Sequence, residues 1–118
     1  MREVEFYRTR SGRSPVDEFL IGLPPKAAGK IRWVLEVALT VDFVSAEYLK
    51  KLRGTDNLWE VRVRHGGNAY RLLSFLDGAR LIVVLSAFAK KTERVPPLEI
   101  ELAYQRRRDY LDRKKQHE

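Results

Sequence analysis

Residues 58–88 read LWEVRVRHGGNAYRLLSFLDGARLIVVLSAF, and the fold turns on this stretch. It divides into three runs of strand character: Leu58 to Arg64, Ala69 to Leu76 and Ala79 to Phe88. His65-Gly66-Gly67-Asn68 joins the first run to the second. Asp77-Gly78, with apolar residues on either side, is a strong hairpin signal and joins the second run to the third. The third run, through Leu81-Ile82-Val83-Val84-Leu85, is apolar on both faces and is expected in the interior of a sheet. Three consecutive strands with short connections predict an antiparallel β-meander.

Upstream, Arg2 to Arg8 alternates, with Val4, Phe6 and Arg8 on one side and Glu3, Glu5 and Tyr7 on the other, as a half-buried strand does. Ser11-Gly12-Arg13 breaks it. Ser14-Pro15-Val16-Asp17 then opens a short helix, with Ser14 as cap, Pro15 in the first turn and Asp17 in the capping-box position, ending near Gly22. Pro24-Pro25 opens a second helix whose stripe is Ala27, Ile31, Val34, Leu35 and Ala38. Trp33 falls off that stripe and is expected against the sheet edge. The two helices are expected to form a hairpin over one sheet face. Residues 41–47 read neither as helix nor as strand. Leu49-Lys50-Lys51-Leu52-Arg53-Gly54 reads as a short strand or an approach to one, with a turn at Thr55-Asp56-Asn57. Pro96-Pro97 opens the last helix, with Ile100, Ala103, Tyr104 and Leu111 as its stripe. Acids early and Arg106-Arg107-Arg108 late complement its dipole. Residues 113–118 are expected to fray. The sum is one α+β domain over residues 1–118: N-terminal strand, helical hairpin, antiparallel meander and C-terminal helix.

The composition limits what such a domain can do. At 118 residues one core is expected, and 44% hydrophobic residues suffice to fill it. A mean hydropathy of -0.40 and 33% charged residues are those of a soluble protein. No apolar run reaches the roughly 18–20 residues of a membrane helix, so no membrane partner is expected. The first residues, Met1-Arg2-Glu3-Val4-Glu5, lack the apolar stretch of a signal peptide, and the expected location is the cytoplasm. With no cysteine, disulfides, thiol catalysis and cysteine-bound zinc are excluded, and two separated histidines, His65 and His117, argue against a metal site. No metal or other cofactor is expected. A net charge of +7 favours an acidic partner: nucleic acid, membrane phosphate or an acidic protein. Charge alone does not choose among them.

Placement narrows the choice. If Arg64 faces Ala69 across the first hairpin, Arg62 lies directly opposite Arg71. Like charges so opposed are unfavourable, unless an anion such as phosphate lies between the two guanidiniums. Glu60 shares their face and can neutralise them in part; solvated arginines, or one paired with Glu60, are the plainer alternative. Both arginines are expected at the sheet surface and so replaceable without unfolding. Across a two-residue Asp77-Gly78 turn, Arg71 would pair near Val84, with Ser86, Phe88 and Lys90 on its face. Lys90 would then reach Arg71 only through a twist or a bend, while Lys91 would point elsewhere. Lys50, Lys51 and Arg53 add charge beside the first meander strand. Such a cationic site lacks a Gly-rich phosphate loop, a catalytic triad and a carboxylate cluster. It is still compatible with cleaving RNA, which carries its own nucleophile in the 2′-hydroxyl. A lysine with its pKa lowered by crowding among cations would serve as acid or base. His65, in a Gly-rich loop, reads first as a turn residue.

The ordered set Leu49-Lys50-Lys51-Leu52-Arg53-Gly54, Leu58-Trp59-Glu60-Val61-Arg62-Val63, Tyr70-Arg71, Phe88-Ala89-Lys90-Lys91-Thr92 and Pro96 resembles the RelE/ParE toxin superfamily, closest to its HigB-like, phage Gp49-like branch, over roughly residues 49–110. The resemblance implies a type II toxin: a ribosome-dependent mRNA endoribonuclease, without a metal, neutralised by a HigA-like antitoxin with a helix-turn-helix domain. Carried over by position, Arg62, Arg71 and Lys90 match the catalytic basic residues, and Lys50, Lys51, Arg53 and Lys91 match those around the RNA groove. The tyrosine or histidine that some relatives carry near the end of the chain has no clear match, although Tyr104 and Tyr110 lie near. Two other classes remain open: a non-catalytic ParE-like inhibitor of DNA gyrase, for which the cationic cluster is unneeded, and a nucleic-acid-binding module without chemistry.

Overall fold

In the computed structural model, which describes residues 2–91 and 93–117, the chain follows the expected α+β order. Strand β1 is Glu3–Phe6, helices α1 and α2 are Pro15–Ile21 and Pro25–Trp33, and a π-helical turn, Val34–Ala38, continues α2. Strands β2 to β5 are Leu49–Lys51, Trp59–His65, Asn68–Asp77 and Leu81–Lys90, and helix α3 is Pro97–Gln116. No helix among the described residues is long and apolar enough to cross a membrane.

The five strands lie in the order β1-β5-β4-β3-β2. The meander is antiparallel as expected, but β1 joins it parallel to β5, from Glu3 opposite Leu81 to Phe6 opposite Val84. β5 is apolar on both faces because both are covered, Ile82 and Val84 in one core cluster and Val83 and Leu85 in the other. The helical hairpin covers one face, where Val16, Leu20, Ile31, Val34 and Leu35 pack on Val61, Val63, Leu72, Ile82 and Val84. α3 covers the other, over Leu58, Leu73, Phe75, Val83 and Leu85. Burying these side chains is the main drive to fold, at about 25 cal/mol per Å² of apolar surface.

Local chemistry sets the element ends. The Ser14 hydroxyl accepts from the Asp17 N–H at 3.3 Å, and Gly22 caps α1, as its capping pattern predicts. In the π turn the Leu39 N–H reaches the Val34 carbonyl at 3.0 Å; the wider turn shifts the helical phase and adds fully buried Leu39 to the stripe. Trp33 stays half-exposed, its ring edge-on to Tyr48 just before edge strand β2. Residues 113–116 form the last turn of α3: the Arg113 guanidinium donates to the Arg8 carbonyl and, at 2.9 Å, to Asp109, and the Lys114 ammonium donates to Asp77 at 2.8 Å. These anchors hold the last helical turn against β1 and the β4–β5 turn.

The second hairpin departs from its expected register. Three residues, Gly78 to Arg80, separate the paired ends Asp77 and Leu81, and a bulge leaves Leu85 unpaired between Val84 and Ser86. The Arg106 guanidinium, with its pKa lowered by burial, donates to the Leu85 carbonyl at 2.8 Å and satisfies the group the bulge frees. Arg71 therefore faces Phe88, four residues beyond the expected Val84, and Val84 lies on the opposite face.

Candidate functional site

Gly66 and Gly67 both take positive φ, 59° and 80°, so the first hairpin turns in two residues with His65 opposite Asn68. This register puts Arg62 directly opposite Arg71 and Arg64 opposite Ala69. In the same rows across β4 and β5, Arg71 faces Phe88 and Ala69 faces Lys90. Lys90 is thus one diagonal step from Arg71, roughly 7–8 Å between backbones. The three-residue turn moves it three places toward Arg71 and the bulge at Leu85 one more, where a plain two-residue hairpin would have left it further along. Lys50, opposite Glu60, completes the face.

The two arginines do not stand alone. Glu60 Oε1 lies 3.5 Å from Nε of Arg62 and 3.5 Å from Nε of Arg71. At that length the contacts are ion pairs rather than hydrogen bonds, and Glu60 Oε2, Arg71 Nε and Ser86 Oγ are buried with no hydrogen-bond partner. Arg71 donates to the Tyr70 carbonyl at 3.1 Å. Burial lowers its pKa first; Glu60 opposes the shift, and Arg62 and Arg64 reinforce it.

The expected surface position of Arg71 is wrong. Its side chain is 3% exposed and Glu60 is 7%, whereas Arg62 is 32% exposed. Arg71, opposite Phe88 on the middle strand β4, does not line the cleft. Arg62 and Lys90 are the ones that reach the cleft, of about 410 Å³, that opens above Glu60. Lys50, Lys51 and Arg53 line the same cleft from the β2 side, although the register of Lys51, opposite Trp59, turns its side chain to the other sheet face. Glu93, Arg94, Val95 and Ile100 close the far wall. The first turn of α3 ends there, and the positive end of its dipole adds to the field. Lys91 is exposed beside the cleft without lining it, and Thr92 of the motif lies outside the described residues.

Arg94, in this wall, escaped the sequence reading: it follows the strand in an irregular segment and carried no signal. Arg64 shares the row of Lys90 without lining the cleft, and its alternation with Arg62 was the signal for its face. His65 ends β3 in the hairpin and does not line the cleft. Neither tyrosine reaches it. The Tyr104 hydroxyl accepts from the Asp56 N–H at 2.8 Å with the Arg107 guanidinium over its ring, and the Tyr110 hydroxyl donates to Asp77 at 2.8 Å. Burial, then Asp77, raises the Tyr110 pKa. Among the described residues no three His, Asp or Glu side chains gather to hold a metal ion.

The arrangement is a cationic cleft over a buried carboxylate, and it can hold a phosphodiester against several guanidinium and ammonium donors. The family described as phage derived protein Gp49-like (DUF891) has a model that matches residues 18–108, reaching into α1 well ahead of the motifs around the cleft. No curated protein matches the chain.

Proposed function

Because this chain belongs to the phage-derived Gp49-like family, a RelE/HigB-like toxin family associated with toxin–antitoxin pairs, we propose that it is a type II toxin acting as a metal-independent endoribonuclease on ribosome-bound mRNA. Its partner is an antitoxin, here taken to be a HigA-like helix-turn-helix protein. One observation carries the reading: Arg62 and Lys90 share a cleft lined also by Glu60, which pairs with buried Arg71. A protein-binding inhibitor has no use for it.

The chemistry follows from the substrate. The 2′-oxygen attacks the adjacent phosphorus, the bond to the 5′-oxygen breaks, and a 2′,3′-cyclic phosphate and a 5′-hydroxyl result. The proton lost by the 2′-hydroxyl leaves through a base, and the departing 5′-oxygen gains one. Arg62 and Lys90 offset the charge that grows on the phosphorane, and the Lys90 ammonium supplies the proton to the leaving oxygen. Arg71 acts as a positioning residue: it holds Glu60, which in turn holds Arg62. Lys50, Lys51, Arg53 and Lys91 bind the flanking phosphates.

The test is expression in cells with primer-extension mapping of transcripts. Codon-associated cuts are expected in the wild type and are lost in Arg62→Ala and Lys90→Ala, both folded. Intact transcripts alongside inhibited gyrase would refute the nuclease.

A further inference from the structure

β2 covers only part of β3. Their pairing stops at Leu49 opposite Val61, and one further bond, Arg62 N–H to the Tyr48 carbonyl at 2.8 Å, ends the cover. Beyond it the edge of β3 borders a pocket of about 190 Å³. Its walls are Lys30 from α2, Glu47 and Tyr48 from the approach to β2, and Arg62 and Arg64 from β3. Arg62 lines the cleft as well, so the two hollows share one residue of their walls. Trp33 braces the Tyr48 ring edge-on, with centroids 5.9 Å apart and planes at 75°, and the Lys30 ammonium lies 5.5 Å over the Trp33 ring. This explains an aromatic that the apolar stripe left outside: Trp33 is 45% exposed.

Three cations, one acid and an aromatic ring beside a phosphate site are the parts that hold unpaired nucleotides. Such strands are bound by stacking bases on aromatic rings and guanidinium planes, with cations on the backbone. A carboxylate only accepts hydrogen bonds and therefore selects bases that offer an amino group.

We propose, resting on the ribonuclease reading, that this edge pocket receives one unpaired base of the RNA strand, next to the phosphate held in the cleft. The base stacks on Tyr48, Lys30 and Arg64 meet its backbone, and Glu47 accepts from its exocyclic amino group, so adenine, cytosine and guanine are preferred to uracil. An open strand edge is also where an extended peptide adds by backbone pairing. The excess of cations and the wall shared with the cleft favour RNA.

The experiment maps cleavage sites by sequencing in cells that express the full chain, as wild type and as Tyr48→Ala, Tyr48→Phe and Glu47→Gln. Wild-type cuts are expected to show a bias against uracil at one fixed position beside the cut. Tyr48→Ala lowers cutting about 10-fold, from the loss of one stacked base, and Tyr48→Phe retains it. Glu47→Gln, at an exposed position, flattens the bias among the cuts that remain, and it decides the matter should Tyr48→Ala fail to fold. A bias unchanged in Glu47→Gln, or equal cutting by Tyr48→Ala, overturns the proposal. So does a Tyr48→Ala toxin that cuts normally yet escapes its antitoxin, which would assign the edge to a protein strand. A wild type that cuts nothing overturns the ribonuclease reading itself and the pocket with it, a result distinct from cuts without bias.

Discussion

Arg62→Ala and Arg71→Ala remove the same side chain from directly opposed positions, and their effects on stability should differ sharply. Arg71 is buried at 3% exposure against a 7% exposed Glu60, 3.5 Å away. Removing one partner of a buried pair costs about 3–5 kcal/mol, because the other charge is left without compensation. Here Arg62 remains on the same carboxylate oxygen, so the lower end applies, about 3 kcal/mol. Arg62 is a third exposed, its interaction is screened by solvent, and its loss costs under about 1 kcal/mol. For a chain of this size, about 3 kcal/mol corresponds to a fall in Tm of roughly 10 °C, against a few degrees at most for Arg62→Ala. Calorimetry of the two variants together with urea unfolding at a constant m-value measures both. A double variant, Glu60→Met with Arg71→Met, should be more stable than Arg71→Ala, since apolar replacement of both charges leaves none stranded. Equal stability of the two arginine variants, within about 0.5 kcal/mol, would refute this account of the buried pair. The consequence for function is direct: lost activity in Arg71→Ala mixes folding with catalysis, so Arg62 and Lys90 are the cleaner probes.

Three further outcomes are expected. Asp77 is held below the usual carboxylate range chiefly by its bond to Lys114, and Asp109 chiefly by its bond from Tyr7. Their folded pKa values lie under the unfolded one, near 3.9, so their stabilisation is complete above that value and is lost as pH falls through the folded pKa. Tm should therefore drop below about pH 4, and Asp77→Asn and Asp109→Asn should flatten that drop in a pH series of thermal melts. Gly67→Ala should cost about 1–2 kcal/mol in urea unfolding, because its φ of 80° is left-handed while open space around it leaves no clash to add. If RNA is bound by the free chain, Lys90→Ala should weaken binding for every sequence alike and reduce the slope of log affinity on log salt by about 1, as read by anisotropy across a salt series; a sequence-dependent loss would refute a phosphate contact.

The β-α-α-meander-α order, the capped start of α1 and the pairing of Arg62 with Arg71 were all legible in the sequence. Each rests on a local rule: alternation, a hydroxyl before a proline, a turn of two glycines that sets register. The family motifs around the cleft were legible too, as ordered residues along the chain. What the tertiary structure alone decided depends on contacts between distant segments. β1 pairs in parallel with a strand nearly 80 residues away. The bulge at Leu85 persists because Arg106, from another element, takes the freed carbonyl, and together with the three-residue turn it carries Lys90 to the arginines. Nothing near Arg71 in sequence indicates that it is covered: the same alternation describes Arg62, in the cleft wall, and Arg71, buried outside it. Burial is a property of what packs above a residue, and periodicity reports only the face on which the residue lies.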